Sequence, residues 1–395
     1  MKFAHLSDCH IGGWRETSLR ELGIRSFEKA LHLAIEEHVG FVLIAGDLFD
    51  TALPQIELIK ETASILSTLK EEDIPVYIIP GSHDYSSSGK TMLDVLEKAG
   101  LVTNVSHISN NELTFTHDRT GTKITGFHGR KGQLERFEYE KINFEHLGKE
   151  PGFKIFMFHS LLNEMKGEEF KNVEAATLDI LPKGFAYYAG GHPHFVKAQT
   201  FEGYGLVAYP GPTFPNNFKE LEELHFGGFY IGETNNEHIH LKYIQLKIKE
   251  VHSSFINAQD KTPKQVELEI LETLQDVQDK IITLRIEGKL KNGKPNDIDF
   301  KKITQANEKA YFFMKNTYKL TAPEQEETTN TESTIEDIER TTIHAHLSNT
   351  LEHEEALINK LILLLDKEKR DGEKNQDYEQ RILKETLHTL RLEDV

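Results

Sequence analysis

The chain is poor in cysteine: Cys9 is the only one in 395 residues. That excludes an internal disulfide and fits a reducing compartment. Long apolar runs are also missing. The longest are a handful of residues, as at Leu361 to Leu365, too short to span a bilayer. The start, Met1 to His10, turns polar too soon for a signal peptide. These absences predict a soluble, cytoplasmic protein with no membrane partner. Positive charge is in deficit, with a formal net charge of −18. An indiscriminate polyanion binder is thereby excluded, although a local basic patch is not. The hydrophobic share of 38% is low for one compact body, and the length fits two or three domains. Histidine is abundant: there are 20, and it is the commonest metal ligand.

Apolar runs at Phe3–Leu6, Phe41–Ala45 and Ile74–Ile79 read as buried strands. Helical periodicity over Ser26–Val39 and from Pro54 to about Leu69 separates them. Strand, helix, strand, helix, strand predicts a parallel α/β layer with right-handed crossovers. Short strands follow between Val102 and Gly126, then Ile155–Phe158, Phe185–Ala189, Gly205–Pro210 and Gly228–Gly232. The composition changes near Leu246. Thr262-Pro263 has the form of an N-cap with proline at the first helical position, opening a small α/β module of about 70 residues. Thr321 to Thr334 is acidic, rich in Thr and Glu and without periodicity, and reads as a linker. Beyond it, Ser333-x-x-Glu336 matches a capping box, and an apolar stripe runs through Ile335, Ile338, Leu347, Leu351, Ile358 and Leu361. A second helix carries Tyr378, Ile382, Leu383, Leu387 and Leu390. Two such helices bury little apolar area alone, so the stripe needs a partner or folds back onto the body.

Five of the predicted strands open onto chemistry-bearing residues. Asp8-Cys9-His10, Gly46-Asp47-Leu48-Phe49-Asp50, Gly81-Ser82-His83-Asp84, His159 and His192-Pro193-His194 all follow apolar runs. Chemistry in open α/β sheets sits at the carboxyl ends of strands. In extended backbone, residues two apart share a side. Asp8 and His10 are therefore expected to converge, as are His192 and His194. Mixed carboxylate and imidazole ligands suit Mn²⁺, Fe²⁺ or Zn²⁺ better than Mg²⁺ or Ca²⁺. There are too many for one ion, and two ions with a bridging carboxylate fit better. Trp14, Arg15, Arg130 and Lys131 are candidates for stacking on or neutralising DNA. The other readings are an aromatic covering a domain edge, and solvated surface charge.

Taken in this order, the motifs resemble those of the calcineurin-like metallophosphoesterases. The wording His-Leu-Ser-Asp-Cys-His-Ile-Gly and Ala-Gly-Asp-Leu-Phe-Asp is most similar to the SbcD, or meiotic-recombination-eleven, branch of DNA repair nucleases. The resemblance implies a four-layer α/β fold, a β-sandwich flanked by helices, with a small α/β capping domain and a C-terminal helical hairpin. It implies a nuclease domain over 1–245, a DNA capping domain over 246–320, an acidic linker over 321–333 and an ATPase-docking region over 334–395. It further implies two Mn²⁺ per subunit. Asp8, His10 and His194 would hold one ion, His159 and His192 the other, and Asp47 would bridge. Ser82 stands where the family has an asparagine ligand, and a hydroxyl is the shorter and weaker donor. His83 would serve as acid for the leaving oxygen, with Asp84 orienting its ring.

The activity implied is a 3′-to-5′ exonuclease on duplex DNA and an endonuclease on single strands or hairpins. The partners implied are DNA ends, an SbcC-type ABC ATPase docked on the C-terminal helices, and a second copy of the chain joined through the helices around 54–69 and 91–99. Two other readings remain at this point. One is a phosphoesterase for small phosphodiesters; the other is a DNA-end scaffold in which Ser82 weakens catalysis.

Overall fold

The computed structural model describes residues 1–86, 91–109, 112–130, 135–139, 141–235, 238–275, 277–323, 354–365, 367 and 375–390. Contacts divide the chain into two units, Met1–Pro323 and Glu324–Val395.

In chain order the first unit begins β1 (Lys2–Leu6), α1 (Thr17–Glu36), β2 (Phe41–Ala45), α2 (Ile56–Glu71), β3 (Val76–Ile79), α3 (Met92–Lys98) and β4 (Thr103–Asn104). Next come β5 (Ile108–Ser109), β6 (Glu112–Leu113), β7 (Thr116–His117), β8 (Lys123–Phe127), α4 (Arg136–Tyr139), α5 (Glu145–Lys149) and β9 (Lys154–His159). Then β10 (Tyr187–Gly191), β11 (Lys197–Thr200), β12 (Leu206–Tyr209), α6 (Phe218–Leu224), β13 (Gly227–Asn235) and β14 (His238–Leu246) complete two sheets. The unit ends with β15 (Val251–Asn257), α7 (Pro263–Thr273), β16 (Ile281–Lys289), α8 (Phe300–Ala306), β17 (Phe312–Asn316) and β18 (Leu320–Thr321).

The first sheet has the order β14-β13-β1-β2-β3-β4 and the second β11-β12-β10-β9-β8-β7. In the first, β1 to β4 run parallel, as the alternation of strand and helix predicts, and β13 and β14 add an antiparallel edge. The central strands are buried along their whole length, which explains their continuous apolar sequence. Three cores give four layers. Phe27, Leu31, Leu66 and Leu69 pack the helices on the first sheet. Phe3, Phe41, Ile155 and Tyr187 fill the space between the sheets. Tyr139, Leu147, Phe156 and Tyr188 cover the outer face of the second. The protein is thus a mixed α/β chain with helices outside two facing sheets. Helix α1 starts earlier than its periodicity indicates, because Leu19 and Leu22 are buried in a separate core with Phe214, Leu221 and Ile281.

The small module is a parallel sheet, β15-β16-β17 with β18 on β16, covered on one face by α7 and α8. Thr262 caps α7: its hydroxyl accepts from the Gln265 N–H at 3.3 Å, and Pro263 stands at the first turn. Ile281, Phe312 and Met314 of this module join the core that contains Leu19 and Leu221.

In the second unit, Glu354–Leu365 and Asn375–Leu390 are helices. Lys367 bonds Glu385 at 2.6 Å, and the Tyr378 hydroxyl donates to the Lys367 carbonyl at 3.0 Å. Of the linker expected over 321–333, Thr321 belongs to β18 instead, and residues 324–333 lie outside the described residues, as do the capping box at Ser333 and Glu336 and the stripe positions Ile335, Ile338, Leu347 and Leu351. Among the described residues no helix is long and apolar enough to cross a membrane.

Candidate metal centre

The carboxyl ends of β1, β2, β3, β9 and β10 meet where the two sheets face each other. The turns after β1 and β2 run side by side. The Asp8 N–H donates to the Gly46 carbonyl at 3.1 Å, and the His10 N–H to the Asp47 carbonyl at 3.0 Å. Asp8, His10 and Asp47 have left-handed backbone, with φ of 50°, 42° and 52°, and His192 stands at 94°. Such conformations are uncommon for residues other than glycine and cluster at functional sites. They correct the expectation of an extended Asp8-x-His10 segment. The two side chains do converge, but because the loop curls.

The Asp8, His10 and His194 side chains bring one ligand atom each within 4.8 Å of the others, and so do Asp8, Asp47 and His159. His10 Nε2 and His194 Nε2 face each other at 3.2 Å. His194 Nε2 lies 3.8 Å from Asp8 Oδ1. Asp47 divides its two oxygens. Oδ1 accepts from the His83 N–H at 2.7 Å, while Oδ2 stands 3.1 Å from His159 Nε2 and 3.7 Å from His10 Nε2. One oxygen therefore sits at the junction of both groups. His159 Nε2 and Asp47 Oδ2, both buried, face each other at 3.1 Å as an ion pair, and a cation that displaced the proton between them could take both as ligands. The donor set is mixed imidazole and carboxylate, which fits a divalent transition metal.

His192 departs from expectation. It does not share a side with His194. Its ring packs beside His159, centroids 5.3 Å apart, whereas His194 packs beside His10 at 5.0 Å. Its own N–H holds Asp8 Oδ1 at 3.0 Å. Ser82 is buried, with Oγ 3.4 Å from Asp47 Oδ2. Asp84 is also buried but does not meet the His83 ring. Its oxygens accept from the N–H groups of Leu48, Phe49 and Gly81 at 3.2, 3.0 and 3.1 Å. Its role as orienter is therefore corrected: it pins the two loops together. The His83 ring is held by the Asp50 carbonyl, 2.8 Å from Nδ1.

Two partners escaped the sequence reading as site residues. Asp50 Oδ1 lies 3.0 Å from His10 Nδ1, and Glu220 Oε1 lies 2.8 Å from His194 Nδ1. With His159 Nδ1 bonded to the Ala45 carbonyl at 2.8 Å, all three rings turn Nε2 inward. Carboxylate and carbonyl partners of this kind fix the tautomer of metal-binding histidines. Asp50 was visible as the last residue of Gly-Asp-x-x-Asp, and Glu220 follows an N-cap asparagine, Asn217, by three.

Charge follows the same division. Burial opposes charge on His159 and His194, but the carboxylates beside them win, raising His159 to about 10 and His194 to about 9. For His159 the carboxylate is chiefly Asp47, and for His194 chiefly Glu220. His192, buried beside the His159 charge, falls to about 4. Burial, then the neighbouring Asp47 charge, lifts Asp84 to about 6 against its three backbone donors.

The candidates for nucleic-acid contact fare differently. Trp14 is half-buried on the core of Leu19 and Phe214, and its indole N–H donates to the Pro215 carbonyl at 2.9 Å. It covers a domain edge. Arg130 is paired with Glu138 and lies over the Tyr85 ring at 4.4 Å. Arg15 is exposed, and Lys131 lies outside the described residues.

Residues 1–195 match the calcineurin-like phosphoesterase family. The chain is 28% identical over 241 residues to the DNA double-strand break repair protein Mre11 of Archaeoglobus fulgidus, covering 57% of this chain and 52% of that one. It is 31% identical over 251 residues to the Mre11 of Methanococcus maripaludis, covering 60% and 64%. The matched region thus spans about half to two-thirds of these relatives. A solved dimetal phosphatase from Danio rerio is 11% identical, with a TM-score of 0.44, over 63% of this chain and 96% of that one. Asp8, His10, Asp47 and His159 all fall within the matched stretch, which together with the mixed ligand set makes residues 1–195 a metallophosphoesterase domain of the calcineurin-like family.

Proposed function

We propose that this chain is the nuclease subunit of a cytoplasmic DNA double-strand-break repair assembly. It would act on duplex DNA as a 3′-to-5′ exonuclease and on single strands or hairpins as an endonuclease. Two Mn²⁺ would be held by Asp8, His10 and His194 on one side and by His159 and His192 on the other, with Asp47 bridging and Ser82 beside the second. The observation that carries this reading is Asp47 Oδ2, set between two ligand groups next to a half-open histidine. The ions, when bound, supply Lewis acidity and lower the pKa of water in the site.

The chain's own residues supply the rest. His83 is 41% exposed while His159 is fully buried, so His83 stands at the mouth. With Nδ1–H donated to the Asp50 carbonyl, the imidazolium form of His83 would give its Nε2 proton to the leaving 3′-oxygen and be left as the neutral Nδ1–H ring. The module over 246–320 carries more Lys and Arg than Asp and Glu, against the acidic mean of the chain, and suits a DNA-facing cap. The names of the Mre11 relatives support the repair setting. Exposed Leu53, Ile56 and Val95, at 69%, 76% and 51%, support dimerisation around α2 and α3. The C-terminal helices would dock the SbcC-type ATPase.

His83→Ala tests the reading. Mn²⁺ affinity and DNA binding are expected to persist, while DNA cleavage falls about 10²–10⁴-fold. Unchanged Mn²⁺-dependent cleavage overturns the role of His83. Turnover of bis-p-nitrophenyl phosphate by the unaltered chain with no DNA cleavage overturns the nuclease in favour of a small-ester enzyme.

A further inference from the structure

Helix α6 meets three different surroundings with three consecutive residues. Successive residues on a helix turn by about 100°. Glu220 reaches the metal centre, where Oε1 lies 2.8 Å from His194 Nδ1 and Oε2 accepts from the Asn216 N–H at 2.8 Å. Leu221 is fully buried in the core shared by Leu19, Phe214 and Ile281. Glu222 faces the small module, where it accepts from Arg285 Nε at 3.1 Å to each oxygen and also from Nη2. The Arg285 guanidinium lies over the Phe218 ring of the same helix, 5.2 Å from its centroid. Glu220 and Glu222 are only 14% and 16% exposed, so neither pair is a loose surface contact.

We propose that α6 is a strut from the small module to the metal centre: Glu220 is a positioning residue for the His194 ring, and the Arg285–Glu222 clasp on β16 holds the helix that presents it. This rests on the reading that Asp8, His10 and His194 hold an ion. Glu220 fixes which ring nitrogen points inward. Its carboxylate is set by its place in the first turn of α6, where the Asn217 side chain accepts from its N–H at 3.0 Å. A helix of seven residues has few internal hydrogen bonds to hold its own orientation. Its placement is left to Leu221 and to the bidentate Arg285 clasp, whose planar fork constrains direction as well as distance. Docking of the module and affinity at one of the two metal positions are thereby linked.

The test is calorimetric Mn²⁺ titration of the full chain, with circular dichroism and thermal melting of the metal-free protein as controls. Glu220→Ala is expected to weaken one of two sites about 10–100-fold and leave the other unchanged. Glu220→Gln, which keeps an acceptor oxygen, should recover part of that loss. Arg285→Gln should weaken the same site by a smaller factor, and the exchanged pair Arg285→Glu with Glu222→Arg should restore it. Two unaltered sites in Glu220→Ala overturn the positioning role. A lower melting temperature in Arg285→Gln with both affinities intact overturns the strut, since a merely structural clasp gives that result. If the unaltered chain binds no Mn²⁺, the metal reading itself fails and this proposal with it.

Discussion

The two ends of the candidate metal centre are built by different means. At the closed end, His159 and Asp47 have side chains 0% and 2% exposed. Backbone makes that end: the Ala45 carbonyl and the His83 N–H bind the two side chains, and glycine leaves room for them. A Cβ on Gly46 would stand 2.2 Å from His159 Nδ1, and one on Gly81 would stand 2.2 Å from Asp47 Oδ1. At the open end, His194 is 24% and His83 41% exposed; a side-chain carboxylate orients the His194 ring, and another, Asp50, orients the His10 ring that lies just beneath at 3% exposure. The closed end therefore has little freedom to change. The open end can be tuned residue by residue, and under the proposed function it is where a substrate would enter.

Asp47 belongs to both ends, so its loss should erase the contrast. Asp47→Ala is expected to abolish tight Mn²⁺ binding at both positions, seen as the loss of both transitions in calorimetry. One surviving site of unchanged affinity would show that Oδ2 is not the junction. The next largest effect is expected at the closed end alone. Gly46 has φ +89° as well as the His159 contact, so Gly46→Ala strains backbone and ring together. A loss of about 1–3 kcal/mol in unfolding free energy is expected, measured by denaturant titration.

At the open end, Asp50→Ala frees the His10 ring without touching its inward nitrogen. Metal affinity at the position of His10 should fall about 10–100-fold while unfolding free energy changes little. A stability loss like that of Gly46→Ala would mean the two ends do not differ in kind. A change of pH tests the charge on both ends at once. With His159 raised to about 10 and His194 to about 9, both rings are protonated in the metal-free chain at neutral pH. A metal must displace those protons. Affinity should therefore rise with pH from about 6.5 towards 9, with proton release detected by titrating in buffers of different ionisation enthalpy. Affinity that is flat over that window would contradict the charge assignment.

Much of this arrangement was legible before the fold. Phe3–Leu6, Phe41–Ala45 and Val76–Ile79 are too apolar to lie anywhere but inside, and polar residues placed directly after them fall at one edge of a parallel layer. The small module announced itself through Thr262-Pro263. What failed was reasoning about direction. Asp8 and His10 converge through left-handed turns rather than extended alternation, and His192 and His194 part company. Trp14 and Arg130 were placed by type, as an aromatic and a cation near a loop. Their use is set by partners such as Pro215, 201 residues away in the case of Trp14.

Asp84 shows the same limit, since adjacency to His83 said nothing of the three backbone groups it binds. The order of strands, the carboxylates and imidazoles at their ends, and the acidic, cysteine-poor character of the chain follow from the sequence alone, because hydrophobic pattern and residue type are local properties. Tertiary structure alone decided which nitrogen of each ring faces inward, that one oxygen of Asp47 joins the two groups, and that Asp50 and Glu220 stand behind the ligands. The reason is physical. A ring is oriented by whichever acceptor reaches its far nitrogen, and here those acceptors lie 40 residues from His10, 26 from His194 and 114 from His159.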